Sequence, residues 1–178
     1  MSASPTSDPM TSDLRTSFLS AMSRAATTVS VVTTDGPAGR FGVTVSAMAS
    51  VSADGERPTL LVCVHHLSAA AQAILDNAVF CVNVLAADQA AISDCFAGRT
   101  AAPGGDKFAC ADWVVETTGA PRVREVRAAF DCRLVSSNRV GTHHVFVGAV
   151  ESVHVGGGSS ALVHSDRAYG AFVPLAAA

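Results

Sequence analysis

Gly42-Val43-Thr44-Val45-Ser46-Ala47-Met48-Ala49-Ser50-Val51-Ser52 is the stretch on which the reading of this chain turns. It is too small and too rich in hydroxyls for an ordinary core strand. In an extended chain successive side chains alternate between faces, so Thr44, Ser46, Ser50 and Ser52 share one side. Val43, Val45, Ala47, Ala49 and Val51 take the other. One face is apolar and small; the other offers hydroxyls and backbone amides. Two readings stand open. One is a half-buried strand with a wet side. The other is a strand laid against a flat polar ligand, its small side chains letting the backbone come close.

Upstream, Asp35-Gly36-Pro37-Ala38-Gly39 is turn chemistry. Before it, residues 27–34 (TTVSVVTT) are β-branched and predict a strand. Downstream, after a turn at Asp54-Gly55-Glu56-Arg57-Pro58, residues 59–65 (TLLVCVH) are apolar on both faces and predict a central strand. Ser68 is placed to cap a helix over 69–76 that Asn77 closes. Residues 78–85 (AVFCVNVL) predict a second buried strand, and Asp88 a cap for a helix through Ala97, ended by Gly98.

The remainder continues this pattern. Residues 112–117 predict a short strand, and Gly119-Ala120-Pro121 a turn. Residues 128–136 and 144–155 predict a long hairpin around 137–142, and residues 162–164 a last short strand. At the other end, residues 1–12 are read as a disordered tail and 13–178 as one domain. A helix capped by Ser12 or Asp13 runs to about Arg24, with Leu14, Phe18 and Met22 recurring at i+4 as a stripe that docks on something. Long strands with scattered helices do not alternate as βαβ. The expected fold is mainly β with short helices, an antiparallel barrel.

Composition narrows the classes. The chain has 178 residues, 49% of them hydrophobic and 15% charged, which points to buried subunit surface as well as a core. A net charge of -3 and the lack of a basic stripe argue against nucleic acid. Cys63, Cys81, Cys95, Cys110 and Cys132 are odd in number, with no C-x-x-C spacing, which fits a reducing cytoplasm. No secretory signal and no run long enough to span a bilayer is visible.

Several motifs are missing. There is no G-x-G-x-x-G, no Walker A, no G-x-S-x-G and no H-E-x-x-H. The six histidines include the adjacent pairs His65/His66 and His143/His144, but strand neighbours point to opposite faces, so each pair offers one ligand at most and no metal is expected. Ser68 at a helix start is able to present hydroxyl and amides to a phosphate, or to be a plain cap. Lys107 can meet a phosphate or a ring rim, or be a surface lysine. Asp94, Asp106, Arg99 and Lys107 read otherwise as a solvated, ion-paired loop.

In order along the chain come Ala21-Met22 leading into residues 27–34, the stretch quoted above, residues 58–64, Val82-Asn83-Val84-Leu85, Phe96-Ala97-Gly98 and Asp106-Lys107-Phe108. Gly119-Ala120-Pro121, Gly141-Thr142-His143 with Gly148, and Arg167-Ala168-Tyr169-Gly170 follow. This series, from Phe18 to Gly170, resembles the short-chain flavin reductases, the reductase components of two-component flavin monooxygenases. The resemblance implies a split β-barrel of the flavin reductase-like, FMN-binding kind and a homodimer. It also implies FMN or FAD as the flavin, NADH or NADPH as its reductant, and a partner monooxygenase that receives reduced flavin.

Carried over residue by residue, the resemblance puts Thr44, Val45, Ser46, Ala47 and Met48 along the isoalloxazine with Ser50 and Val51. Cys63, Val64 and His65 run beside the ribityl chain, and Ser68 sits near the phosphate. Phe96, Ala97, Lys107 and Phe108 close the other side, with Tyr169 from the C-terminal segment. His143 matches the histidine of the Gly-Asp-His motif, by the nicotinamide, as the catalytic candidate. Thr142 replaces that motif's Asp, His144 doubles its histidine, and Ala161 and His164 replace a more usual Pro and Tyr. Residues 58–93 are similar to the branch that reduces a corrin cobalt. A corrin reductase and a non-catalytic flavin- or haem-binding barrel are therefore the alternatives.

Overall fold

The β-branched run 27–34 forms two strands, not one: β1 (Thr27–Thr28) and β2 (Ser30–Thr34). Val29 between them bonds instead to Leu162 and Leu85. The structure, a computed structural model, describes residues 9–157 and 159–175, with only the backbone course for 9–12. The helix ahead of β1 is α1 (Pro9–Ser23), so it starts before the expected cap at Ser12 or Asp13 and takes up part of the segment read as tail; residues 1–8 lie outside the described residues.

The quoted stretch is also two strands, β3 (Phe41–Val45) and β4 (Met48–Ser52). Next come β5 (Thr59–His65), α2 (Ala69–Asn77), β6 (Val79–Val84) and α3 (Ala90–Ala97). A short pair follows, β7 (Trp113–Val115) with β8 (Pro121–Val123), then the long hairpin β9 (Ala128–Val140) and β10 (His143–Val155). The hairpin runs further than its expected ends because Gly141, at φ 56, makes the turn in two residues. The chain finishes with β11 (Leu162–Ser165) and β12 (Ala168–Ala171), the latter unforeseen; β11 pairs with β12 on one side and with β1 on the other.

Seven strands make one antiparallel sheet in the order β3-β2-β6-β9-β10-β5-β4. Its two edge strands, β3 and β4, are consecutive in the chain and joined only by Ser46-Ala47. The sheet therefore curls round until its edges meet at that corner, yet no ladder links β3 to β4 and the barrel stays split. One hydrogen bond pins the corner, from the Cys63 amide to the Ala47 carbonyl at 3.1 Å.

Burial explains the central strands. Every residue of β2 and β6 is buried because each face meets a separate core. Val32, Phe80 and Val82 point inward with Val62, Val64, Phe146 and the α2 residue Ile74. Val31 and Cys81 point outward under α3, against Phe96, Phe108 and Val126. Removing such side chains from water contributes about 1.5–3 kcal/mol each. β5 differs from its expected central role: it lies next to an edge, and only its alternate residues Leu60, Val62 and Val64 are buried.

Helix ends also depart from expectation. Asn77 is the last residue of α2, and the left-handed cap is Ala78 at φ 57. The Asn77 amide instead donates to the Gly39 carbonyl and Thr34 Oγ1, and its oxygen accepts from the Ala38 amide, fixing the turn before β3. Asp88 lies in a 3-10 turn (Ala87–Gln89) ahead of α3 and accepts from Ser159 rather than capping the helix.

Candidate functional site

The corner between the sheet edges opens a cleft of about 560 Å³. Val43, Thr44, Val45, Ser46 and Ala47 form its floor, Cys63 and His65 of β5 and His143 of β10 one wall, and Phe18, Leu19 and Met22 of α1 the other. Ser46 and Ala47 are exposed, and neither belongs to a strand, so no large side chain covers the backbone there. Thr44 is half-buried, and its hydroxyl donates to the Ser93 carbonyl at 2.7 Å, tying β3 to α3. Burial pushes the Cys63 thiol's pKa up, which keeps it a neutral wall residue.

Cross-strand register brings the histidines together. His143 lies opposite His65 in the β10–β5 ladder, with rings edge to face at 5.0 Å. Thr142 Oγ1 meets His143 Nδ1 at 3.0 Å. His144, one residue on, stacks on Phe146 and meets Ser137 outside the cleft, so the doubled histidine presents His143 to it. The expectation that His65 and His66 face opposite ways fails: β5 ends at His65, alternation ends with it, and the two rings stack at 5.0 Å. Lost solvation, Arg139 and the neighbouring imidazoles hold the His66 pKa below its usual value. Among the described residues no three His, Cys, Asp or Glu converge as a metal site.

A second cleft of about 320 Å³ opens on the start of β3. Arg40, Phe41 and Gly42 face Ser68 with Ala69 and Ala70 of α2, and Asp106 with Lys107 and Phe108 of a 3-10 turn (Lys107–Cys110). Ser68 stands at the α2 N-cap, but its hydroxyl makes no capping bond. Lys107 donates to the Phe96 carbonyl at 3.1 Å, and Asp106 caps the turn through the Phe108 amide at 2.9 Å. The expected ion-paired loop is partly re-paired: Asp94 meets Arg99 at 3.3 Å, while Asp106 meets Arg40 at 3.5 Å. Arg40 was not singled out from the sequence. It stands beside a turn with nothing periodic around it, and only its place ahead of Phe41-Gly42 marks it.

A third hollow of about 160 Å³ lies behind Thr44, Val45 and Ser46, lined by Ser93, Ala97, Arg99, His164 and Tyr169. The Tyr169 hydroxyl is a hub. It meets Ser93 Oγ at 2.8 Å, donates to Asp94 at 2.9 Å and accepts from Arg99 at 2.9 Å. Burial first, and the Asp94 carboxylate, raise its pKa, so it stays a protonated donor.

The remaining site expectations scatter. Val64 and Phe96 are 1% exposed and belong to the two cores, so they are packing residues and not lining of the clefts. Met48 and Ser50 line a separate apolar groove of about 510 Å³ with Leu60, Phe130 and Val150. Val51 is the extra residue of a β-bulge, 53% exposed. The corner at Ser46-Ala47 and this bulge each break the two-residue period, which is why the expected single apolar face ends at Val45.

The donor set fits a flat, partly anionic ring with a phosphate tail: a small-residue floor and hydroxyls in one cleft, and along the same β3 a second cleft with a cation and an uncommitted serine. Comparison with known proteins agrees. A relative from Ancylobacter novellus, named FMN reductase (NADH) RutF, is 45% identical over 155 residues, spanning 87% of this chain and 83% of its own. The crystal structure of a putative flavin reductase from Haemophilus somnus superposes with a TM-score of 0.81 at 34% identity, covering 88% of this chain and 98% of that one. BorF, the flavin reductase component of a bacterial two-component tryptophan halogenase, does so with a TM-score of 0.79 at 30% identity, covering 90% and 99%. The model of the flavin reductase like domain matches residues 22–172, and the chain belongs to that family.

Proposed function

We propose that this chain is an NADH-dependent flavin reductase that works on FMN. The observation that carries the reading is the exposed Ser46-Ala47 corner, a place where a planar ring can lie against bare backbone within reach of His143. The relatives' printed names support FMN and NADH over FAD and NADPH. A bound flavin would supply the acceptor for a hydride from the nicotinamide. The chain's part is to hold the two rings at near-attack distance, about 3–3.5 Å, and to stabilise negative charge on the reduced ring with the Ser46 hydroxyl and the backbone amides of the Ser46-Ala47 corner. His143 orients the nicotinamide or holds a proton beside it.

The further parts of the reading are a homodimer and a partner that takes the reduced flavin, a flavin-dependent monooxygenase or an enzyme of similar need. A structural neighbour named as the reductase component of a two-component halogenase supports the partner. No described helix is long and apolar enough to cross a membrane.

The test is direct. Purified protein with FMN is expected to consume NADH, followed as loss of nicotinamide absorbance. Absence of turnover with FMN and with FAD overturns the proposal, and flavin binding without turnover would make the chain a carrier.

A further inference from the structure

We infer that Arg40 recognises the phosphate end of the flavin and is the residue that separates FMN from riboflavin. The inference rests on the flavin reading of the cleft. Lys107, the cation that the sequence offers, is committed elsewhere: its ammonium donates to the Phe96 carbonyl at 3.1 Å and holds the turn to α3. Arg40 is differently placed. Its guanidinium lies 4.4 Å above the centre of the Phe108 ring, a cation–π contact at the edge of the 320 Å³ cleft. Its ion-pair partner is a single oxygen of Asp106 at 3.5 Å, with both side chains about half exposed.

An exposed pair of that length contributes little to stability. A phosphate entering opposite Ser68 can therefore draw the guanidinium away from Asp106 at small cost. It gains the paired, two-pronged hydrogen bonding that suits a guanidinium to phosphate oxygens. Lys107 keeps its charge at the cleft, but the Asp106 carboxylate beside it offsets that charge. Arg40 is then the net positive charge left to meet a phosphate monoester of roughly -1.5 to -2 charge. Riboflavin has no such group and gains nothing from Arg40.

Titration of FMN and riboflavin into wild type, Arg40→Gln and Asp106→Asn, followed by flavin fluorescence, tests this. Arg40→Gln is expected to weaken FMN roughly tenfold or more and to leave riboflavin within about twofold of wild type. Asp106→Asn keeps the capping oxygen for the Phe108 amide but removes the competing charge, so it should tighten FMN and not riboflavin. FMN affinity unchanged in Arg40→Gln, or both ligands weakened equally in it, overturns the inference while leaving the reductase reading intact. FMN affinity unmoved by Asp106→Asn does the same, should Arg40→Gln fail to fold. A wild type that binds neither flavin overturns both.

Discussion

His143 owes its position to one register: opposite His65, with Thr142 on its Nδ1, which leaves Nε2 as the nitrogen for the cleft. A ring so held should matter more to the reduction step than to flavin binding. His143→Ala is expected to slow flavin reduction in stopped flow by roughly tenfold or more, on the scale of a lost acid–base or orienting group, while FMN affinity moves far less. Equal reduction rates would remove its role. His143 was reachable from the sequence because a strand end and a motif coincide there. His66 was not, since alternation holds only inside a strand and the end of β5 was not visible. Arg40 was missed for a related reason: its partners Asp106 and Phe108 are distant in sequence and meet it only across the cleft.

Elements were read best where burial is two-sided. The β-branched run at 27–34 and the mostly apolar run at 78–85 lack a two-residue polar alternation because β2 and β6 separate two cores, and a run buried on both faces reads that way. The quoted stretch was read as one strand because nothing in its residues marks a corner. The break follows from closing the sheet: its two edges need two different partners, β2 and β5, and Ser46-Ala47 are small enough to bend between them. At the same level, Gly42 sets how close α3 comes to β3. A Cβ there would stand 2.5 Å from the Phe96 ring, a ring already packed edge to face on Phe108 and Trp113. Gly42→Ala is expected to cost about 1–3 kcal/mol, the usual range for overpacking a core, read as a lowered midpoint in denaturant unfolding. An unchanged midpoint would mean α3 is not seated by Gly42.

The whole molecule leaves more apolar surface open than one chain should. Phe18 and Met22 of α1 are 60% and 51% exposed, so the stripe read as a docking face buries little within the chain. Apart from that stripe, the groove of Met48, Leu60, Phe130 and Val150 continues into Val153, 54% exposed, beside the edge strand β4. An uncovered edge strand with an apolar groove invites association, and a second copy covering it would answer the chain's apolar composition. It would also explain why Met48, Ser50 and Val51, expected beside the flavin, lie outside the ring cleft: they would approach it only with a partner in place. Wild type is therefore expected to sediment at twice the chain mass, and Val153→Glu to shift it toward monomer by placing a charge in the groove. If the dimer completes the site, FMN affinity falls with the same substitution and recovers as protein concentration rises. A wild type that stays monomeric at micromolar concentration would refute the covering copy, and a monomeric Val153→Glu with full FMN affinity would show that one chain holds the whole site.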